Sequence, residues 1–462
     1  MSENQNKIRV GSRKSELALV QTKYVISLLK DCFPDKEFEI VTMNTLGDTV
    51  LDIALPKIGE KSLFTKELET ALALGTVDFV VHSLKDLPTC LPEGMAIGAV
   101  LSREDPRDAL VLQKNLKSSL NLSNLPENSV IGTSSLRRTA QLAKNYPHLK
   151  VENIRGNLNT RLKKLDDLGK YQAIILAAAG LIRIGWKDRI SKVLSEDELL
   201  YAVGQGALAV ECRADNSNII KLLESLYHLE TALRVTAERA FLRTLGGGCS
   251  APVAVSSHLK AVEENQFDLV LKGAVWSLDG KEEILDTVNT TIKVKTDLRC
   301  ASCPRRDKSF RDIENLDCGK CQEYNNGEPV AKKIKFDDIP SVLLKTDRCP
   351  VQLPVGSDFM AKCPYLEHQL DGSSENLNLN MSQCPFLLNK SAHIPETIIG
   401  NSSKECFDDD NLFCGLVLHK QATLEGMTAA KELGVKLAKK LIANGALDIM
   451  KKAQAIVHGK SN

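Results

Sequence analysis

Basic and small polar residues follow five short β-forming runs in the first half of this chain. They occur in the segments GSRKS (11–15), HSLKD (82–86), GTSSLRR (132–138) and RGN (155–157), with Arg161 one helical turn further on and Arg183 after a fifth run. The carboxyl ends of parallel strands meet at one edge of a sheet, where α/β proteins bind ligands. Guanidinium groups pair bidentately with carboxylates and phosphates, so we expect a polyanion to bind at this edge. The simpler interpretation is that each arginine is a solvated residue at a helix start.

Two residues near these segments have side chains suited to proton transfer and covalent chemistry. Asp86 is the only carboxylate directly inside a strand-end segment, where it can stabilise a cationic intermediate and transfer protons. Cys249 follows three glycines, which leave its sulfur accessible as a nucleophile. The commoner roles are a helix N-cap for such an aspartate and a small buried apolar residue for such a cysteine.

The elements that must position these residues alternate in type along the first 225 residues. Short β-rich runs alternate with amphipathic helical patterns and lie at 7–10, 38–42, 78–81, 129–131, 151–154 and 173–176. This alternation predicts α/β domains with mostly parallel strands. The later sequence predicts helices at 231–245 and 427–450 and antiparallel strands from 252, at 267–276 and at 288–294.

Length and charge narrow the class of protein. A chain of 462 residues predicts about three domains, and a formal net charge of +1 disfavours nucleic acids and anionic membranes as partners. The polar start MSENQNKIRV lacks the apolar core of a signal peptide, and no apolar run is long enough to span a membrane. We therefore expect a cytoplasmic protein. The sequence has neither a dinucleotide-binding glycine loop nor a P-loop, which favours organic acids over nucleotides as ligands.

The character of the sequence changes between residues 297 and 410. Pro, Asn, Ser, Cys and charged residues dominate there, helical periodicity is lost, and nine of the thirteen cysteines lie between Cys300 and Cys414. This composition predicts a partly disordered insertion in a surface connection of the last domain.

Two cysteine patterns in the insertion indicate different ligands, and a solvated linker with inert cysteines is the third interpretation. Two CxxC pairs have zinc-ribbon-like spacing and comprise Cys300, Cys303, Cys318 and Cys321. Four Cys-Pro dipeptides occur where composition predicts roughly 0.5. Three of these dipeptides resemble haem-regulatory motifs, in which a thiolate binds ferric haem, and they contain Cys349, Cys363 and Cys384.

Five long segments together resemble the porphobilinogen deaminase family, in the family's order and spacing. They are HSLKDLPT (82–89), GTSSLRR (132–138), IRGNLNTRL (154–162), VGQGALAVE (203–211) and ERAFLRTLGGGCSAPVA (238–254). The resemblance covers about residues 7–295 and resumes near residue 412. It implies an α/β fold with two doubly wound domains, similar to periplasmic binding proteins, and a third smaller domain whose antiparallel sheet carries a cofactor loop. The implied domains are 1–103 with 204–227, 104–203, and 228–296 with 411–462, with the insertion at 297–410.

The resemblance implies a transferase of haem and tetrapyrrole biosynthesis. Such an enzyme joins four porphobilinogen molecules head to tail into hydroxymethylbilane and releases ammonia. Cys249 matches the cysteine that holds a dipyrromethane cofactor through a thioether. Asp86 matches the catalytic acid and base, which helps expel ammonia, stabilises the azafulvenium cation and accepts the proton lost from the terminal pyrrole.

The remaining site residues are carried over from the family as groups that hold a chain of pyrroles, each with an acetate and a propionate. Those expected to bind the cofactor are Ser83, Lys85, Ser134, Arg137, Arg138, Arg161 and Gln205. Those expected to bind substrate are Arg13, Gln21, Phe64, Arg155 and Arg183, and the stretch 59–66 is similar to the family's mobile lid. The family expectation is a monomer without nucleic acid or membrane partners. A haem bound in the insertion would provide feedback from the pathway's end product.

This chain departs from the family in two places. Many relatives have an acidic residue where this chain has Gly246, and their connection at the position of the insertion is short. The alternative function is a non-catalytic, two-lobed protein that binds organic anions, which the strand-end arginines also suit. Asp86 and Cys249 favour the enzyme, because a protein that only binds needs neither.

Overall fold

The computed structural model describes residues 7–45, 64–246, 251–263, 265–294 and 412–457. The chain divides into two compact units, and all described residues belong to the unit formed by Met1–Leu298 and Phe407–Asn462. The other unit, Arg299–Cys406, lies outside the described residues. In the described part, helices accompany three β-sheets, so the expected multidomain α/β fold is confirmed.

The elements are named in chain order. The strands are β1 (Lys7–Arg13), β2 (Glu37–Met43), β3 (Phe79–Ser83), β4 (Met95–Val100), β5 (Asp108–Leu112), β6 (Val130–Gly132), β7 (Lys150–Glu152), β8 (Ala173–Ala177), β9 (Lys192–Val193), β10 (Leu208–Arg213), β11 (Val253–Glu263), β12 (Gln266–Trp276), β13 (Glu283–Lys293), β14 (Leu412–Phe413) and β15 (Leu416–Val417). The helices are α1 (Glu16–Cys32), α2 (Lys66–Ala73), α3 (Leu136–Asn145), α4 (Leu158–Asp167), α5 (Ala178–Arg183), α6 (Ser217–Leu223), α7 (Leu229–Thr244), α8 (Leu424–Ala443) and α9 (Ala446–Val457). Single 3-10 turns lie at Leu84–Asp86, Lys187–Arg189 and Glu224–Leu226.

The first sheet has the strand order β14-β15-β4-β10-β3-β1-β2. Strand β1 is parallel to β2 and β3, whereas β10 lies antiparallel between β3 and β4. Apolar side chains from β1, β3, β10, α1 and α6 form one core against this sheet. Burial of this apolar surface is the main favourable contribution to its stability.

The second sheet has the order β7-β6-β8-β5-β9, and the third is an antiparallel sheet of β11, β12 and β13. In the second sheet β6 is parallel to its neighbours, and β5 is antiparallel to β8 and β9. Helices α7, α8 and α9 share a large apolar core with the third sheet. The chain passes between the first two sheets at residues 101–107 and again at 194–207.

The prediction of mostly parallel strands is confirmed for the runs on which it was based: β1, β2 and β3 are parallel to one another, as are β6, β7 and β8, whereas β5 and β10 run antiparallel to their neighbours. Strands β4, β5 and β10 are short and almost wholly buried, and a short apolar run does not by itself reveal strand direction. The direction is decided by the connection, and β10 enters the first sheet after the chain has passed through the second.

Two further details differ from the sequence expectations. The helix predicted at 427–450 is two helices, because Asn444 and Gly445 end α8 and Gly445 adopts a φ of +95°, which favours glycine. Residues 412–417, expected in the third domain, form β14 and β15, and β15 pairs with β4 of the first sheet. The domain boundaries themselves stay a prediction.

Candidate active site

The turn that carries Lys85 and Asp86 follows directly from the end of β3. Leu84 is buried, its N–H donates to the Ala207 carbonyl at 3.0 Å, and the Leu87 N–H donates to the Leu84 carbonyl at 3.1 Å. These contacts hold the turn against residues 204–207. Asp86 is half-buried, and its carboxylate accepts no hydrogen bond from the residues that the structure describes. It is therefore available to a ligand.

Lys85 is connected to a buried carboxylate through the amide of Gln205. Its Nζ donates to Gln205 Oε1 at 3.4 Å, and Gln205 Nε2 donates to Asp108 Oδ1 at 2.8 Å. Desolvation lowers the pKa of Lys85 to about 8, although Asp86 and Asp108 oppose this shift. The ammonium group is thus charged at neutral pH and loses its proton under mildly alkaline conditions.

The backbone conformation on both sides of Gln205 favours glycine. Gly204 and Gly206 adopt φ values of +72° and +86°, a region that L-residues rarely adopt. A Cβ on Gly206 would lie 2.4 Å from the Glu104 carbonyl oxygen. The glycines of the VGQGALAVE segment therefore place the Gln205 amide between Lys85 and Asp108.

Asp108 is the shared acceptor of two buried arginines. Arg137 Nη1 donates to it at 2.8 Å, and Arg138 donates through Nη2 at 2.8 Å and Nε at 3.2 Å. Burial alone would raise the pKa of Asp108, but the two guanidinium groups hold it well below its usual range. We call Lys85, Asp108, Arg137, Arg138 and Gln205 the cationic cluster, because three cations surround a single buried carboxylate.

Two further arginines of the second sheet lie beside this cluster. Arg161 Nε donates to the Gly156 carbonyl at 2.7 Å. Desolvation, together with Arg138 and Arg155, lowers the pKa of Arg161 to about 10, and Asp86 opposes the shift. Arg155 is buried, and its Nη1 has no hydrogen-bond partner among the described residues. An unpaired buried guanidinium nitrogen indicates a missing acceptor, such as a ligand carboxylate.

Gln21, Ser83 and Arg183 form a second small network. Ser83 Oγ donates to Gln21 Oε1 at 2.8 Å, and Arg183 Nη1 donates to the same oxygen at 3.4 Å. Arg183 Nη2 also donates to the Gly206 carbonyl at 2.5 Å. Desolvation lowers the pKa of Arg183 to about 10. The structure therefore brings this arginine, which ends α5, to the carboxyl end of β3.

The other carried-over residues lie at neighbouring strand ends. The guanidinium of Arg13, at the end of β1, lies 4.5 Å from the centre of the Phe64 ring, a cation–π contact. Ser134 Oγ donates to the Ile154 carbonyl at 2.5 Å, and this hydrogen bond links the residues that follow β6 to those that follow β7.

Several predicted sites fall outside the described residues. Cys249 lies there, between α7 and β11 in the sequence, as does the part of the lid stretch at 59–63. The same holds for the zinc cysteines Cys300, Cys303, Cys318 and Cys321 and the haem cysteines Cys349, Cys363 and Cys384. Within the described ranges, no group of three or more His, Cys, Asp or Glu residues is placed to hold a metal ion. None of the helices in those ranges has the length and apolar character needed to cross a membrane.

Sequence reasoning missed three charged residues that hold the site together. Besides Asp108, these are Arg103 and Glu238, whose side chains form a buried bidentate pair at 2.6 and 3.0 Å. The Gly204 N–H also donates to Glu238 at 2.8 Å, which ties the Gln205 turn to α7. A charged residue within or beside an otherwise apolar run is the sequence pattern that could have identified such a residue, as in DALVL (108–112).

Comparisons with known proteins agree with the resemblance noted in the sequence. A family model described as "Porphobilinogen deaminase, dipyromethane cofactor binding domain" matches residues 8–221, and "Porphobilinogen deaminase, C-terminal domain" matches residues 232–302. Curated relatives named porphobilinogen deaminase include one from a Nostoc species, 53% identical over 282 residues, which cover 61% of this chain and 85% of the relative.

Two other cyanobacterial relatives of that name are similarly close. The protein from Synechococcus elongatus is 55% identical over 61% of this chain and 86% of its own length. The protein from Gloeobacter violaceus is 54% identical over 59% of this chain and 81% of its own length. Among solved structures, the BvgS VFT2 domain of Bordetella pertussis matches 51% of this chain and 93% of its own, with a TM-score of 0.32 at 14% identity. That score is too low to support a conclusion about fold.

Proposed function

This chain belongs to the porphobilinogen deaminase family, and we propose that Asp86 transfers protons in its reaction while the cationic cluster holds ligand carboxylates. The chain is a transferase of tetrapyrrole biosynthesis that joins four porphobilinogen molecules into hydroxymethylbilane and releases ammonia, using a dipyrromethane cofactor. The family assignment does not favour the alternative of a non-catalytic organic-anion binding protein.

The residues near Asp86 fit the dipyrromethane cofactor in their charge. Each pyrrole carries two carboxylates, and the cationic cluster has three cations around one buried carboxylate. Arg155 adds a buried guanidinium nitrogen that lacks an acceptor among the described residues. Excess buried positive charge is unfavourable unless an anion compensates it, so this region is suited to a polycarboxylate. When bound through Cys249, the cofactor supplies the pyrrole to which the first substrate molecule is joined.

Arg155 and Arg183 orient the substrate through its acetate and propionate groups, while Lys85 and Arg161 hold those of the cofactor. Arginine pairs with a carboxylate through two parallel hydrogen bonds, which fix the plane as well as the position of the group. Arg155, Arg161 and Arg183 lie at the carboxyl ends of strands or just beyond them, where a ligand between the first two sheets would meet them. Phe64, beside Arg13, offers an aromatic face for stacking on a pyrrole.

Asp86 performs the proton transfers. As an acid it gives a proton to the aminomethyl nitrogen, which then leaves as ammonia. As a carboxylate it stabilises the resulting positive charge, and it finally accepts the proton released when the new carbon–carbon bond forms. The observation that carries this assignment is the half-buried Asp86 carboxylate, without a hydrogen-bond partner in the described part of the chain and facing Lys85 and Arg161.

Replacing Asp86 by asparagine tests this role. Asp86→Asn keeps the size and polarity of the side chain but removes its proton chemistry, so we expect turnover of porphobilinogen to fall by about 100-fold or more. The exposed Asp188 is a matched control, and Asp188→Asn should leave turnover unchanged. Intact-mass spectrometry should find the cofactor on both variants. Near-normal turnover of Asp86→Asn would refute the assignment.

Domain organisation, oligomeric state and location are also part of the proposal. We propose domains at 1–103 with 204–227, at 104–203, and at 228–296 with 411–462, each containing one of the three sheets, although β14 and β15 (412–417) extend the first sheet; the cofactor would be carried by the last of these domains. We expect a monomer of 50.7 kDa in the cytoplasm. Sedimentation of the purified protein at twice this mass would contradict the monomer.

A further inference from the structure

Two consecutive charged residues of α7 contact the backbone near the site. Most of this helix packs in the interior, and Glu238 and Arg239 are 0% and 1% exposed. Successive side chains on a helix point about 100° apart, so the two charged groups reach different parts of the chain. In the sequence, Cys249 lies shortly after the end of the same helix.

Glu238 holds the turn that contains Gln205. Its Oε2 accepts the Gly204 N–H at 2.8 Å, and the Arg103 guanidinium pairs with both of its carboxylate oxygens at 2.6 and 3.0 Å. Arg103 Nε also donates to the Gln205 carbonyl at 2.9 Å. The backbone of this turn is therefore held from one side by Glu238 and from the other side by Arg103.

Arg239 holds the chain directly after the catalytic turn, which comprises residues 84–86. Its Nη1 donates to the Leu87 carbonyl at 3.3 Å, and its Nη2 donates to the Pro88 carbonyl at 2.8 Å. Its Nε donates to the Cys414 carbonyl at 3.0 Å, in the connection between β14 and β15. All three nitrogens of this guanidinium thus donate to backbone oxygens.

The geometry of these contacts fixes distances between separate parts of the chain. A guanidinium is planar and rigid, so hydrogen bonds from its three nitrogens hold their acceptors in one arrangement relative to α7. The Leu87 N–H donates to the Leu84 carbonyl, so holding Leu87 also holds the turn that carries Asp86. Such precision matters, because a misplacement of about 1 Å can lower an enzymatic rate about 100-fold.

We propose that Glu238 and Arg239 are positioning residues that fix the Gln205 turn and the catalytic turn relative to α7, and hence relative to the cofactor bound at Cys249. Both side chains are buried, so neither is available to substrate. The effect on the reaction rests on the roles proposed for Asp86 and Cys249, but the holding of the two turns does not.

Kinetics of Arg239→Lys in the holoenzyme test the effect on the reaction. Lysine keeps the positive charge beside Glu211 but has one nitrogen in place of three, so it cannot hold all three carbonyls. We expect kcat to fall by about 10-fold or more because Asp86 loses its fixed place, and KM to change by less than about twofold because Arg155 and Arg183 do not depend on Arg239. Intact-mass spectrometry should find the cofactor on the variant.

Arg213 is the matched control for this change. It also donates to two backbone carbonyls, those of Leu72 at 2.7 Å and Val77 at 3.1 Å, but at the opposite end of β3 from the catalytic turn. Arg213→Lys should leave kcat unchanged. A normal kcat in Arg239→Lys, or equal losses of kcat in the two variants, would overturn the proposal.

Hydrogen exchange of backbone amides measures the holding of the catalytic turn without reference to activity. In Arg239→Lys, exchange should become about 10-fold faster in residues 84–90, because charged hydrogen bonds that close this segment are lost. Arg213→Lys should show no change there. Unchanged exchange of this segment in Arg239→Lys would contradict the proposal.

Glu238→Asp is a second variant, which keeps the proposal testable if Arg239→Lys does not fold. Aspartate keeps the charge but is too short to reach both Arg103 and the Gly204 N–H, so exchange should become faster in residues 203–207 and not in 84–90. The exposed Glu230 at the start of α7 provides the control, and Glu230→Asp should change neither segment. Equal acceleration of both segments in Glu238→Asp would indicate a general loss of stability and overturn the proposal.

The exchange results also separate this proposal from the proposed function. If Asp86→Asn kept normal turnover, the role of Asp86 would fail, but faster exchange of residues 84–90 in Arg239→Lys would still show that Arg239 holds the turn.

Discussion

The two buried charged clusters lie close to the same strand end but balance their charges in different ways. In the cationic cluster, three cations surround Asp108, and the excess positive charge faces the region where ligand carboxylates are expected. In the second group, which comprises His82, Glu211 and Arg239, His82 Nε2 lies 2.9 Å from Glu211 Oε2, and Arg239 donates to the carbonyls of Leu87 and Pro88. A ligand is thus expected to compensate the excess charge of the cationic cluster, whereas groups of the protein satisfy the charges of the second group.

This difference separates binding groups from positioning groups. A charge that the protein leaves uncompensated, such as the unpaired nitrogen of Arg155, is suited to hold a ligand of opposite charge. A charge that protein groups satisfy supports the backbone, as Arg239 does for Leu87 and Pro88. Both kinds of residue are buried and both have shifted pKa values, so burial alone does not distinguish them.

The largest effect should follow from removing the shared acceptor of the cationic cluster. Asp108→Asn leaves Arg137 and Arg138 without their counter-charge in the interior, so we expect the free energy of unfolding to fall by about 3–5 kcal/mol. Urea unfolding at pH 7 measures the loss. Because Asp108 has a lowered pKa, its contribution is present above its unfolded pKa, and the difference from wild type should shrink as pH falls below about 4.

Asp166 is the matched control for this change. It accepts hydrogen bonds or ion pairs from Arg189 and Lys114, but it lies nearer the solvent. Asp166→Asn should cost at most about 1 kcal/mol. If Asp108→Asn and Asp166→Asn lost equal free energies of unfolding, the buried cluster would contribute no more to stability than an ordinary ion pair.

An intermediate effect, on binding alone, is expected from Arg155. Arg155→Gln removes a guanidinium whose Nη1 has no partner in the described structure, so stability should hardly change. A lost charged hydrogen bond to a ligand costs about 1.5–3 kcal/mol, and KM for porphobilinogen should rise by about 10-fold or more. Arg189, which pairs with Asp166, is the control, and Arg189→Gln should leave KM unchanged. If Arg155→Gln were less stable than wild type but had a normal KM, Arg155 would be a positioning residue and not a ligand-binding residue.

The smallest effect concerns the titration of Lys85. Its pKa of about 8 means that the ammonium charge is present below pH 8 and lost above it. Turnover of porphobilinogen should therefore fall above pH 8, by at most about tenfold per pH unit, because a single proton is lost and the cofactor carboxylates lose a cationic partner. Lys85→Gln should have a lowered turnover at pH 7 that shows no such fall up to pH 9. A wild-type turnover that is constant across this range would show that Lys85 does not bind the cofactor carboxylates.

Local sequence was sufficient to find residues that occur directly after strands. Lys85, Asp86, Arg137 and Arg138 belong to segments with a clear β-run followed by a polar turn, and the structure places all four around one region. Asp108 was missed because it begins an apolar run, where a carboxylate has no local signal of its partners. Glu69 was missed for a similar reason, since an acidic residue on a short amphipathic helix is expected at the surface.

The sequence by itself determined the identity of the chemically active groups and the family, because both reside in contiguous segments such as HSLKDLPT and VGQGALAVE. It also determined the alternation of helices and strands, which follows from local periodicity. Only the tertiary structure decided which strands run antiparallel, namely β5 and β10, and which groups the buried charges pair with. Those depend on contacts between residues that are far apart in the chain, as Lys85 is from Gln205 and Glu69 from Glu211, and no local pattern encodes such distances.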